Sequence, residues 1–118
     1  MNLAYNITER NSVQILSIKS LLDEWQNRQI LQELQPKIEA GATTFVVDLA
    51  QLRLVNSIGL NFLLTLFSRV RRQGGEVILA NVSKGVYRIL EMTKLSNIFP
   101  LESSVENAVD ALGMELMA

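Results

Sequence analysis

The residues able to do chemistry in this chain are few, and they gather at the ends of apolar runs. Asp48 closes one such run and Asn81 follows another. Both can line a crevice at the carboxyl ends of strands, where open α/β sheets place ligands, or can simply bond the loops around them. The segment Asn56-Ser57-Ile58-Gly59-Leu60 adds a hydroxyl, Ser57, between an amide and a bare glycine. The sequence contains no histidine, which removes the commonest general base and the commonest metal ligand. It contains no cysteine, so disulfides and thiolate metal sites are excluded. Gly74-Gly75 precedes a strand rather than a helix and is not a phosphate-cradling loop. No nucleophile, base and orienting group occur together, so the expectation is a protein that is not an enzyme and needs neither metal nor cofactor.

The elements that must position these residues follow from periodicity. Leu3, Tyr5 and Ile7 alternate with polar neighbours, Arg10-Asn11-Ser12 is a turn, and Val13 to Ile18 is rich in β-branched residues; together they predict a hairpin. From about Leu22 to Glu39 the spacing is helical, through Leu22, Trp25, Ile30 (or Gln29), Leu34 and Ile38. Pro36 either kinks that helix or ends and restarts it. Trp25 reads first as core, with an interface role as the alternative.

Thr43 to Leu49 and Val77 to Ala80 are short apolar runs of the kind found in strands covered on both sides. A helix from about Ile58 to Gln73 joins them, making a βαβ unit. Further helices are expected at about Lys84 to Met92 and Ser104 to Leu112, around a short extended piece at Ile98 to Leu101. Ser103 or Ser104 starts the last helix, with Ser103 and Glu106 spaced as a capping box, and Gly113 fits its stop. Met114 to Ala118 is either a frayed extension or a dimer contact. These elements predict one α/β domain over residues 1–118.

Bulk properties narrow the partners. The 118 residues are 48% hydrophobic and 19% charged, enough for a packed core. With 11 basic and 12 acidic residues the net charge is −1, and no concentrated positive field suits nucleic acid. Arg69, Arg71 and Arg72 read as cations complementing a helix C-terminus. No apolar run reaches the roughly 18–20 residues that span a bilayer. Nor does the N-terminus resemble a signal peptide, so a cytoplasmic location is expected.

The Asn56-Ser57 pair offers two candidate caps for the helix that follows. On that helix Leu60, Leu63, Leu64, Phe67 and Val70 share one face by spacing and are assigned to the core. Ile58 and Phe62 then fall outside it, one turn apart. Either a neighbouring element covers them or they form a small apolar patch for a protein partner.

Asn56-Ser57-Ile58-Gly59-Leu60, after a strand ending Asp48-Leu49, resembles the phosphorylation-site motif Asp-Ser-Ser/Thr-Gly-Leu of STAS domains, including bacterial anti-sigma factor antagonists. The similarity continues through Gly74 to Ser83, Val86 to Leu95, Ile98 to Leu101 and Ser104 to Ala108. It implies a STAS-like mixed sheet of four to five strands, with helices packed mainly on one face. It also implies a partner, a kinase-type anti-sigma factor or another STAS-binding protein, with a homodimer as a further option. In the family the unphosphorylated form binds the anti-sigma factor and frees the sigma factor, and phosphorylation reverses this. Here Ile58, which has no hydroxyl, occupies the phosphate-bearing position, and Asn56 replaces the acidic residue. Ser57 either holds the loop or acts as a displaced phosphosite. The resemblance thus implies transcription regulation by partner switching without the family's standard switch, with Asn56, Ser57, Ile58, Gly59, Phe62 and Arg69 contacting the partner. A stressosome-like scaffold, or the small cytoplasmic subunit of a lipid-transporting ABC complex, is the alternative role.

Overall fold

Local chemistry at the hairpin sets the edge of the sheet. In the computed structural model, which describes residues 4–42 and 44–117, β1 (Tyr5–Arg10) pairs antiparallel with β2 (Val13–Ile18). Asn11 and Ser12, at φ 51° and 67°, make the two-residue connection. Two left-handed residues match the right-handed twist of the strands they join. The expected strand residues Leu3 and Thr43, and the last residue Ala118, lie outside the described residues.

Beyond the hairpin every pairing is parallel. β3 (Thr44–Asp48), β4 (Glu76–Ala80) and the two-residue β5 (Leu101–Glu102) complete a five-stranded sheet in the order β1-β2-β3-β4-β5. Parallel neighbours require crossovers. These are α1 (Glu24–Glu39), α2 (Ser57–Arg72) and α3 (Lys84–Met92), the last followed by a single 3-10 turn at Leu95–Asn97. A final helix, α4 (Val105–Met117), follows β5.

Side-chain alternation sorts the strands onto two cores. Leu16, Ile18, Phe45, Val47, Val77 and Leu79 pack against α1, α2 and α3. Val13, Ile15, Val46, Ile78 and Ala80 point to the opposite face and meet Ala108 and Val109 of α4. Three helices on one face and one on the other explain why β3 and β4 read as continuous apolar runs. No helix among the described residues is long and apolar enough to cross a membrane.

Several local expectations are revised. α1 begins at Glu24, where Asp23 caps it in a capping box with Gln26, and it runs unbroken through Pro36. Trp25 is not core: it is 63% exposed, while Leu22, Ile30, Leu34 and Ile38 are buried. α4 is capped by Ser104, whose hydroxyl accepts from the Asn107 N–H at 3.0 Å. Glu106 pairs with Arg10 at 3.7 Å instead of closing a box with Ser103. Gly113 does not stop α4, which continues to Met117; a helix tolerates an interior glycine at a cost of about 1 kcal/mol.

Two contacts tie the periphery to this frame. Gly85, in the first turn of α3, faces the Arg53 carbonyl so closely that an added Cβ would overlap that oxygen. Gly85→Ala should therefore lower unfolding stability by roughly 1–3 kcal/mol, through a forced shift of α3 from the loop before α2; urea denaturation measures it. Tyr5 on the edge strand donates its hydroxyl to Glu33 of α1. Burial first, then that bond and the Glu33 charge, push the phenol from 10.0 up to about 12. A pKa raised on folding means that this stability is present below pH 10 and is lost as pH climbs toward about 12. Wild type should lose thermal stability more steeply than Tyr5→Phe across that window, and matching melting curves would contradict the assignment.

Candidate partner-binding site

The edge formed by the carboxyl ends of the parallel strands carries the motif, and a carboxylate braces it from below. Asp48 Oδ1 accepts from the Ala50 N–H at 3.0 Å and from the Asn81 amide at 2.9 Å, while the Ser17 hydroxyl lies 3.5 Å from Oδ2. Asn81 sits in the left-handed region at φ 57°. One carboxylate thus joins the ends of β2, β3 and β4, so the loop-bonding alternative for Asp48 and Asn81 is the one observed.

Above this brace, Asn56 is the N-cap of α2. Its Oδ1 accepts from the Gly59 N–H at 2.8 Å, and its amide donates to the Leu22 carbonyl at 3.1 Å. The side chain therefore fastens the start of α2 to the loop before α1. Further along, the Arg69 guanidinium donates to Gln35 Oε1 at 3.0 Å. Both bonds join residues 34 apart in sequence, so α1 and α2 run parallel and in step. Arg69 is half-buried in that helix–helix contact rather than free at the surface.

Gly59 is buried beneath the cap. A Cβ there would stand 2.7 Å from Val55 Cγ2 and 3.3 Å from Asn56 Oδ1, so the position excludes a side chain. Ser57 is exposed and Ile58 is half-buried at its flank. Phe62 requires correction: it is 0% exposed and belongs to the main core. The buried stripe is Gly59, Phe62, Leu63, Leu66 and Val70, a face rotated from the one the spacing suggested. Leu64, expected in the core, is 39% exposed. The choice between two overlapping apolar stripes fell to how α2 packs into the main core.

Spacing did not single out the residues that actually present apolar surface here. Leu54, in the loop before α2, is 60% exposed, and Leu21, before α1, is 51% exposed. Leu21 lines a narrow cleft with Leu22, Leu52, Val55, Asn56 and Gly59, which places it beside the α2 start. Leu54 reaches toward Gly85 of α3. The available signal was a leucine inside the otherwise unstructured Arg53-Leu54-Val55 connection, where a solvated loop has no local need for one.

This architecture, a hairpin-started mixed sheet with α2 capped at its carboxyl edge, defines a class of small α/β modules. The family model for the STAS domain matches residues 4–108, and the chain belongs to the STAS domain family. An anti-sigma F factor antagonist from Paenibacillus polymyxa is 26% identical over 113 residues, covering 95% of this chain and 97% of that protein. The solved structure of a variant of Moorella thermoacetica RsbS superposes with a TM-score of 0.85 at 17% identity, covering 97% of this chain and 98% of that one. The unphosphorylated form of the anti-sigma factor antagonist SpoIIAA gives 0.80 at 22% identity, over 92% and 96%.

The two bonds of Asn56 separate cleanly by substitution. Asn56→Ala removes cap and clasp together and should lower unfolding stability by about 2 kcal/mol. Asn56→Asp keeps the cap acceptor, loses only the donor to Leu22, and should cost about half as much. Chemical denaturation of both variants measures the difference.

Proposed function

We propose that this chain is a protein-binding regulator of the anti-sigma factor antagonist type, acting on transcription by partner switching. Its partner is a kinase-type anti-sigma factor, engaged through the edge where α2 begins. The observation that carries this reading is the exposed Ser57 beside half-buried Ile58 on a rigidly capped first turn. It is supported by the alignment with an anti-sigma F factor antagonist over 95% of the chain. Asn56 and Gly59 hold that turn in place, Ser57 and Ile58 face the partner, and Arg69 acts at one remove by fixing α2 against α1. Phe62 contributes through the core alone.

Binding of this kind needs no catalytic group and no cofactor. The protein works as one domain over residues 1–118, in the cytoplasm, without nucleic acid as a ligand. Ile58 cannot accept a phosphate, so the complex is not dissolved by modification at that position. Ser57 is the remaining hydroxyl on the turn and the candidate displaced phosphosite. A phosphate there would add about two negative charges to the interface, tolerated by the helix dipole but opposed by desolvation on docking.

The test is to capture the partner from the native cell, identify it by mass spectrometry, and titrate it against variants. Ile58→Glu should weaken binding at least tenfold and lower the melting temperature far less than loss of a fully buried core side chain, since Ile58 is only half-buried against the core. Phe62→Ala should instead destabilise the fold by about 3–5 kcal/mol. Unaltered affinity for Ile58→Glu would refute the interface, and capture of an ATPase with its permease would move the protein to a transport complex.

A further inference from the structure

The two edges of the sheet are built differently. β5, at one end of the strand order, pairs over two residues only, and a strand so short cannot seat another. β1, at the other end, runs six residues in unbroken register, from Tyr5 opposite Ile18 to Arg10 opposite Val13. The Lys19 N–H donates to the Ala4 carbonyl, so Ala4 bonds inward to the hairpin. Alternation along an antiparallel strand then turns the N–H and C=O of Tyr5, Ile7 and Glu9 outward. β1 carries none of the usual guards of an edge: it has no proline, no lysine and no bulge. Its two charges are engaged within the chain, Glu9 accepting from the Gln14 amide and Arg10 pairing with Glu106 at 3.7 Å.

We propose that β1 pairs antiparallel with β1 of a second copy about a two-fold axis, joining two sheets into one. Charge selects the register. An axis through Ile7 would set Glu9 opposite Tyr5 of the second copy, whose hydroxyl already holds the Glu33 carboxylate, so two acids would meet. An axis through Thr8 avoids this. Thr8 then faces Thr8, Asn6 faces Arg10 and Glu9 faces Ile7, with no like charges opposed. Ile7 and Glu9 exchange backbone hydrogen bonds across the joint through the groups they turn outward. Asn6, Thr8 and Arg10 are all exposed and share one face, and each meets a compatible residue under the symmetry. That self-match names a second copy as the occupant. Because β5 is too short to receive β1, the sheet cannot grow head to tail, and the assembly closes at two copies.

Antiparallel joining points the carboxyl edges of the two sheets in opposite directions. Both α2 starts stay open, so the dimer offers two separate sites to the partner of the proposed function. The dimer itself does not rest on that reading and is measured without any partner.

The sequence contains no cysteine, so a single introduced thiol reports the register directly. On the axis, Thr8 forms a non-hydrogen-bonded pair whose Cα atoms stand about 4.5 Å apart, within disulfide reach. Under mild oxidation of the full chain, Thr8→Cys should give a covalent dimer at least tenfold faster than Asn6→Cys. Sedimentation velocity of the wild type should show a mass rising with concentration from 13.2 kDa toward twice that value. Glu9→Pro removes one outward N–H while sparing the pairing of β1 with β2, and should weaken association at least tenfold with circular dichroism unchanged. A monomer mass at every concentration, or equal cross-linking through Thr8→Cys and Asn6→Cys, would overturn the dimer. Cross-linking through Ile7→Cys in place of Thr8→Cys would overturn the register.

Discussion

Parallel pairing from β2 onward is the constraint on which the molecule depends. Each parallel step must carry the chain back along the sheet, so β2, β3 and β4 each hand over to a helix at the same edge. Three helix N-termini are thereby gathered side by side, and with them Asp23, Asn56 and Ser83, each capping its own helix through a side-chain oxygen. The polar chemistry of this family member sits at that edge because the topology delivers every loop start there. The opposite end holds turns such as Gly74, at φ 77°, where a tight reversal is all that is needed.

Rigidity at the edge comes from bonds that cross between elements. Asp48 couples three strand ends, Asn56 couples two helices, and the Arg53 carbonyl seats against Gly85 at the start of the third. Each replaces water around a loop with a fixed partner. A surface held this way loses little entropy when something docks on it, which suits a module whose work is recognition. The half-buried Ile58 belongs to that logic, since its position is set by the cap before it and the core beneath it.

The composition of the site separates this chain from the motif it resembles. A hydroxyl at position 58 would offer a charge switch, whereas isoleucine offers apolar area that a modification cannot remove. Leu21 and Leu54, in the loops beside the start of α2, add exposed apolar surface.

The β-branched run Val13 to Ile18, the apolar runs around Val46 and Ile78, and the helical spacing of Ile30, Leu34 and Ile38 made the order of elements legible in the sequence. The sequence narrowed the cap of α2 to Asn56 or Ser57, and the structure gives it to Asn56. Local pattern could not rank the two apolar stripes of α2: Phe62 and Leu64 are both large and apolar, and only tertiary packing buries one and exposes the other. Trp25 lies inside α1 but five residues before Ile30, about 140° round the helix from the buried stripe, which leaves it in solvent. Arg69 looked like a free surface cation until Gln35 stood beside it. The sequence by itself determined which segments fold and in what order, since those choices rest on neighbours along the chain. Tertiary structure alone decided which apolar residues face solvent, because burial depends on elements that meet only when the sheet assembles.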